Sequence, residues 1–290
     1  MMHRTPAMRL VASDVDGTIM GHDGVISTRT RAAFAAVRDA GVEVVFVTGR
    51  PPRWLGPLAD QIGHNGTVIC SNGAVIWDMA EDRLVGVHAL IREQVLRLQE
   101  IIREVHPEAG FAAECVRGLV LERGFVEARG DSPLLAQEVA PLSEALGPED
   151  QVVKFLALSP SLSAEEFHAR VAEKVGDLAH VTHSDARFSL LEISAPGITK
   201  AHTLEAYATA RGIRAEEVVA FGDMPNDVQM LSWAGEGYAM SGGHPEALAA
   251  ARFQAPACED DGVAQVLENK LRLLNGGSAG HMPEGASTGS

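Results

Sequence analysis

The sequence is poor in cysteine and in positive charge, and it contains no long apolar run. Its three cysteines, Cys70, Cys115 and Cys258, are far apart and form no Cys-x-x-Cys pair. That argues against a disulfide framework and a zinc knuckle, and leaves unreactive thiols in a reducing compartment. Lysine and arginine number 24 against 39 aspartates and glutamates, a formal net charge of −15. A surface of that sign repels polyanions, so neither nucleic acid nor anionic membrane is an expected partner. It repels phosphate esters too, so any phosphate site here needs a cation or local positive groups. No segment approaches a membrane span, and the short polar stretch before Leu10 lacks the apolar core of a secretory signal. A cytoplasmic location is expected.

What is present suits a large folded protein. The 290 residues are 46% hydrophobic, enough for one large domain or two moderate ones. Near the start, Leu10–Ser13, Val42–Val47 and Thr67–Cys70 read as short buried strands. Between them lie a helix ending near Ala40, with Ser27 or Thr28 as its cap, and a helix over Pro52–Ile62. This order predicts a parallel sheet with helices on both faces. The rhythm then changes. Leu90–Val105 is an amphipathic helix, 111–122 a hairpin, Val152–Leu158 a strand, and Ser163 with Glu166 a capping box before a helix through Val175. Strands at 181–184 and 189–193 follow. Alternation resumes with a helix from Thr199, a strand at Val218–Phe221, a helix at 226–234, a strand at 237–240, and helices at 245–251 and 262–274. The expected fold is α/β, a doubly wound parallel sheet over residues 1–82 and 188–274. An α+β module over 83–187 is inserted in it, and residues 275–290 are expected to form a disordered Gly/Ser/Pro-rich tail.

Four segments carry chemistry, each just after a predicted strand or opening a helix, where open parallel sheets bind ligands. Asp14-Val15-Asp16-Gly17-Thr18 follows the first strand; carboxylates two apart repel unless a cation or a proton lies between them. Thr48-Gly49-Arg50 follows the second and offers hydroxyl, amide and guanidinium donors to phosphate oxygens; a plain turn capped by Thr48 is an equal reading. Lys200 sits in the first turn of a helix, where the dipole favours anions; taken alone an exposed surface lysine is the stronger reading, and the misplaced charge makes sense if an anion binds there. Gly222-Asp223-Met224-Pro225-Asn226-Asp227 places one acid at a strand end and another at a helix start. Carboxylates without soft ligands suit a hard cation such as Mg²⁺.

In order, spacing and context, Asp14-Val-Asp-Gly-Thr, Thr48-Gly-Arg, Lys200 and Gly222-Asp-x-x-Asn-Asp resemble the haloacid dehalogenase superfamily of phosphatases. Ser71-Asn72-Gly73-Ala74, the run Leu191 to Lys200 and Asp261-Gly-Val-Ala264 are similar to its Cof-type subfamily, whose α/β cap (subclass IIB) would be the insert. The resemblance spans roughly residues 8–272 and implies a Rossmann-like core and hydrolysis of a small phosphorylated metabolite, a sugar phosphate first. It implies Asp14 as nucleophile forming an aspartyl-phosphate and Asp16 as general acid and base. Mg²⁺ would be held by Asp14, the Asp16 carbonyl and Asp223. Thr48, Gly49 and Lys200 would lie on the phosphoryl group, with Arg50 a weaker candidate. Asn226 would touch phosphate or a metal water, and Asp227 would orient Lys200 or bind the metal, directly or through water. Asn72 is expected to be structural. Glu114, Arg117, Lys154 and His183 are polar candidates in the cap, each with a structural role as the stronger reading. A phosphomutase of the same superfamily and a phosphate-accepting receiver are the alternatives; the long insert disfavours the receiver. Monomer and homodimer remain open.

Overall fold

The computed structural model describes residues 8–63, 66–130, 139–183 and 189–277. The first half of the core reads β1 (Leu10–Ser13), α1 (Thr28–Asp39), β2 (Glu43–Val47), α2 (Gly56–Ile62), β3 (Thr67–Cys70), β4 (Val75–Asp78) and β5 (Arg83–Val87). The insert supplies α3 (Arg92–Val105), β6 (Gly110–Cys115), β7 (Gly118–Leu121), α4 (Arg123–Arg129), α5 (Leu142–Ala145), β8 (Val152–Leu158), α6 (Ala164–Val175), β9 (His180–Thr182) and β10 (Leu190–Ser194). The chain closes with α7 (Lys200–Ala210), β11 (Val218–Gly222), α8 (Val228–Trp233), β12 (Glu236–Met240), α9 (Pro245–Ala250), β13 (Phe253–Ala255) and α10 (Gly262–Gly277).

The core sheet runs β13-β12-β11-β1-β2-β3-β4-β5. Pairings from β13 to β3 are parallel, and β4 and β5 add an antiparallel edge. Because side chains alternate along a strand, β1 sends Val11 to one layer and Leu10 and Ala12 to the other. Val11 packs with Phe34, Leu58 and Leu267 from α1, α2 and α10. Leu10 and Ala12 pack with Leu204, Tyr207 and Met230 from α7 and α8. Burial on both faces is why these strands read as continuous apolar runs. β1 lies between β2 and β11, so the chain leaves it in one direction and returns on its other side. Ligands bind at the crevice such a reversal opens.

The cap is an antiparallel sheet, β7-β6-β8-β10-β9. One face carries Phe111, Phe155 and Ile193 under α3 and α6. Part of the other packs Leu121 and Leu158 against Phe125 and Val126 of α4.

The expected boundaries at 82/83 and 187/188 shift at both ends. Arg83–Val87 completes the core sheet by pairing with β4, and Leu190–Ser194 is an inner strand of the cap sheet, between β8 and β9. β4 and β5 escaped sequence reading because most of their residues are only part-buried, so neither shows a long apolar run. Their turn is nonetheless encoded: Asp78 Oδ1 accepts from the Ala80 and Glu81 amides, and Asp82 takes a left-handed φ of 45°. β13, α4 and α5 are likewise short additions. The final helix runs past 274 to Gly277; the remainder of the expected tail, and Ser184 of the expected strand at 181–184, lie outside the described residues.

Candidate active site

The ends of β1 and β11 deliver Asp14 and Asp223 to the same edge, and their register is tied by the Asp14 N–H donating to the Phe221 carbonyl at 3.0 Å. Two glycines make this close approach feasible. A Cβ on Gly17, whose φ is +81°, would fall 2.3 Å from Asp223 Oδ2, and one on Gly222 would fall 2.5 Å from the Asp227 Cβ. Thr18 Oγ1 donates to Asp223 Oδ1 at 2.9 Å. Thr199 caps α7 by accepting from the His202 amide, which fixes Lys200 as the first helical residue.

Lys200 is buried to 1% exposure, and its Nζ donates to Asp14 Oδ1 at 2.5 Å and to Asp227 Oδ1 at 2.7 Å. The other oxygen of Asp227, Oδ2, accepts from the amides of Asp223 and Met224. Oxygens of Asp14, Asp223 and Asp227 lie within 4.8 Å of one another. Burial pushes the Asp14 carboxyl well above its ordinary value, against the pull of Lys200 and with Asp227 and Asp223 adding to the rise. Burial, followed by Asp227, pushes Asp223 up to about 7. Burial alone would depress Lys200, but Asp14 and Asp227 outweigh it and its pKa rises. Three acids facing one ammonium leave surplus negative charge out of water, and their oxygens are hard donors. Both facts fit a divalent cation of the Mg²⁺ type.

Thr48 is fully buried at the end of β2, with its hydroxyl accepting from the Arg50 amide. Arg50 and Asp16 are bonded to each other, with Nε to Oδ2 at 2.8 Å and a terminal nitrogen to Oδ1 at 2.6 Å. The guanidinium expected on phosphate therefore holds a carboxylate, and the Asp16 side chain, 58% exposed, stands outside the group formed by Asp14, Asp223 and Asp227. Asn226 donates its amide to Asn72 Oδ1 at 3.0 Å, while its own Oδ1 is buried with no partner.

The family model for haloacid dehalogenase-like hydrolases matches residues 11–267. The chain belongs to that family. It is similar to the 5-amino-6-(5-phospho-D-ribitylamino)uracil phosphatase of Bacillus subtilis, at 26% identity over 267 residues covering 91% of this chain and 98% of the relative. It resembles the pyridoxal phosphate phosphatase of Escherichia coli at 26% identity over 273 residues, with coverage of 91% and 98%. Among solved structures, a subclass IIB sugar phosphatase of the superfamily superposes with a TM-score of 0.75 at 20% identity, covering 90% of this chain and 98% of that one. This haloacid dehalogenase-like hydrolase thus shares its fold with that structure.

The cap meets the site along one face. Glu114 pairs with Lys154 and Glu192 with Leu156, so on an alternating pleat Glu114, Lys154 and Glu192 share the face opposite Phe155. Lys154 Nζ donates to Glu192 Oε1 at 2.6 Å and to the Gly49 carbonyl at 2.5 Å. Glu192 Oε2 accepts from Asn72 Nδ2 at 2.5 Å. Glu114 takes a bidentate bond from Arg53 of the core at 2.8 and 2.7 Å. Arg117 stays within the cap, on Asp150 and the Ala145 carbonyl. His183 reaches the core: its ring centroid lies 6.4 Å from that of His244, whose backbone amide donates to the Asp223 carbonyl at 2.7 Å. Burial, then neighbouring His168, lowers the His183 pKa. Glu192 and Arg53 were missed by sequence reading. A carboxylate within the buried run Leu191-Glu-Ile193 was the available signal, since a buried acid demands a partner.

Proposed function

We propose that this chain is a Mg²⁺-dependent phosphatase that cleaves a small phosphorylated metabolite, with a sugar phosphate as the first choice, through a phosphorylated Asp14. The observation that carries this reading is the Asp14–Lys200–Asp227 contact beside Asp223 at the carboxyl ends of adjacent strands. The named activities of the relatives support phosphoric monoesters as the substrate class. The three free cysteines suit the reducing cytoplasm in which such metabolites occur.

Asp14 attacks phosphorus as the bond to the leaving oxygen breaks, and the phosphoryl group passes to its carboxylate. Asp16, once parted from Arg50 and protonated from solvent, gives that proton to the leaving oxygen, then accepts one from the water that attacks phospho-Asp14 and releases phosphate. Because Asp16 and Arg50 are bonded to each other, each proton transfer requires that pair to open. Lys200 offsets negative charge as the phosphoryl group transfers, Thr48 and Gly49 hold its oxygens, and Asp227 orients Lys200. Asp14, the Asp16 carbonyl and Asp223 would hold Mg²⁺, whose charge lets an anionic nucleophile approach an anionic ester.

The test is a panel of phosphorylated metabolites assayed for phosphate release, with Mg²⁺ and with EDTA. Multiple turnovers abolished by EDTA are expected. Stoichiometric phosphorylation without turnover, or turnover indifferent to EDTA, would defeat the reading.

A further inference from the structure

The run Ser71-Asn72-Gly73 follows β3 and turns left-handed at three successive residues, with φ of 49°, 56° and 103°. Two of the three carry side chains, which seldom take such angles unless their surroundings over-determine them. Here the surroundings are two walls of the candidate site. The Ser71 and Asn72 amides donate to the Arg50 and Thr48 carbonyls at 3.0 and 3.1 Å, which ties the turn to the loop after β2. On its other side the turn meets the start of α7. The buried Thr203 hydroxyl donates to the Gly73 carbonyl at 2.8 Å. A Cβ on Gly73 would fall 2.4 Å from the Thr199 carbonyl oxygen and 2.7 Å from its carbon.

That carbonyl belongs to the peptide unit whose nitrogen is that of Lys200. A peptide unit is planar and stiff, so a push on the Thr199 oxygen carries the Lys200 backbone with it. The Lys200 side chain has little room to compensate, being buried with its Nζ on both Asp14 and Asp227. We propose that Gly73 and Thr203 are positioning residues that seat the first turn of α7 against the turn after β3 and so set the Lys200 ammonium against Asp14. Gly73 acts by what it lacks, because a Cβ would occupy the place of the Thr199 carbonyl. Thr203 acts by its hydroxyl, which holds the two turns together. The inference rests on the phosphatase reading above, in which Lys200 offsets charge as the phosphoryl group transfers.

In Gly73→Ala the Thr199 oxygen must retreat by about 1 Å to reach an ordinary contact of 3.4 Å, and a misplacement of that size can cost about 10²-fold in rate. The full chain is assayed for phosphate release with Mg²⁺ on the ester of the panel above that it turns over fastest. Gly73→Ala should lower kcat by about 10²-fold and leave KM within about twofold, because the ammonium acts on the transition state. Thr203→Val keeps the shape without the donor and should lower kcat on the order of tenfold; Thr203→Ser should recover most of that loss. Gly212→Ala strains another left-handed glycine, just past the far end of α7, where a Cβ meets nothing within 4 Å, and should keep the wild-type kcat. Because both residues act through Lys200, either change added to Lys200→Ala should cost at most about threefold more. If Gly73→Ala fails to fold, as read by thermal melting, the Thr203 variants decide the matter. Wild-type kcat in Gly73→Ala overturns the role of Gly73, and in Thr203→Val that of Thr203. Losses that multiply in full with Lys200→Ala, or a Gly212→Ala loss as large as that of Gly73→Ala, overturn the whole proposal. A wild-type chain that turns over no ester overturns the phosphatase reading and this inference with it.

Discussion

The protein buries two lysines, one in each of its parts, and their surroundings differ. Lys154 in the cap meets one carboxylate, Glu192, and one backbone carbonyl, so its charge is matched. Lys200 in the core meets Asp14 and Asp227 with Asp223 close by, so acids exceed cations around it. A matched buried pair leaves no surplus charge and is costly to break from one side; an unmatched cluster invites a further positive charge. Matching thus separates a joint from the proposed reaction centre, although both are buried ion pairs between distant segments.

The two lysines should part company when altered, and the effects can be ranked. The largest expected loss is at Asp14, the Lys200 partner proposed as nucleophile. Asp14→Asn should abolish multiple turnover in an initial-rate assay while circular dichroism stays that of the wild type. Lys200→Ala should cost about 10²- to 10³-fold in kcat, the range for removing one electrostatic donor; an unchanged kcat would dissolve the distinction drawn here. Lys154→Met leaves Glu192 charged without its buried cation. It should lower stability by about 3–5 kcal/mol in urea unfolding, the range for breaking a buried pair from one side. A loss near zero would show the Lys154 pair to be as tolerant as a surface contact.

The smallest effect is a matter of pH. With Asp223 raised to about 7, its carboxyl holds a proton in the metal-free folded chain, between about pH 4 and 7, that it lacks when unfolded. The contribution of this group to stability should therefore be lost as pH rises through that window. Mg²⁺ competes with that proton, so the rise in melting temperature on adding Mg²⁺ should grow from pH 5 to pH 8. Calorimetric scans with and without the ion would check it, and a pH-independent increment would count against cation binding at Asp223.

Much of this contrast was legible in the residues. The strands bearing Asp14, Thr48 and Asp223 are apolar on both faces, so pattern alone located them, and the motifs at their ends followed. What the pattern left dark was pairing across long sequence distances. Asp16 and Arg50 both read as active-site groups, but nothing in their spacing says that they bond to each other. Glu192 sits among apolar neighbours in β10, and its partners are 38 and 120 positions away. The edge strands β4 and β5 were hidden for another reason: with most side chains only part-buried, they lack the continuous apolar signal of inner strands.

Strand β10 ends at Ser194 in the cap sheet, and α7 opens at Lys200 on the floor of the site. The tether between them is too short to absorb a length change without moving one end. Chimeras that trade caps between members of this family should therefore be joined on the cap side of this tether. An added residue within 195–199 would shift the first turn of α7 by one position, turning the ammonium about 100° around the helix axis and away from the carboxylate it now meets.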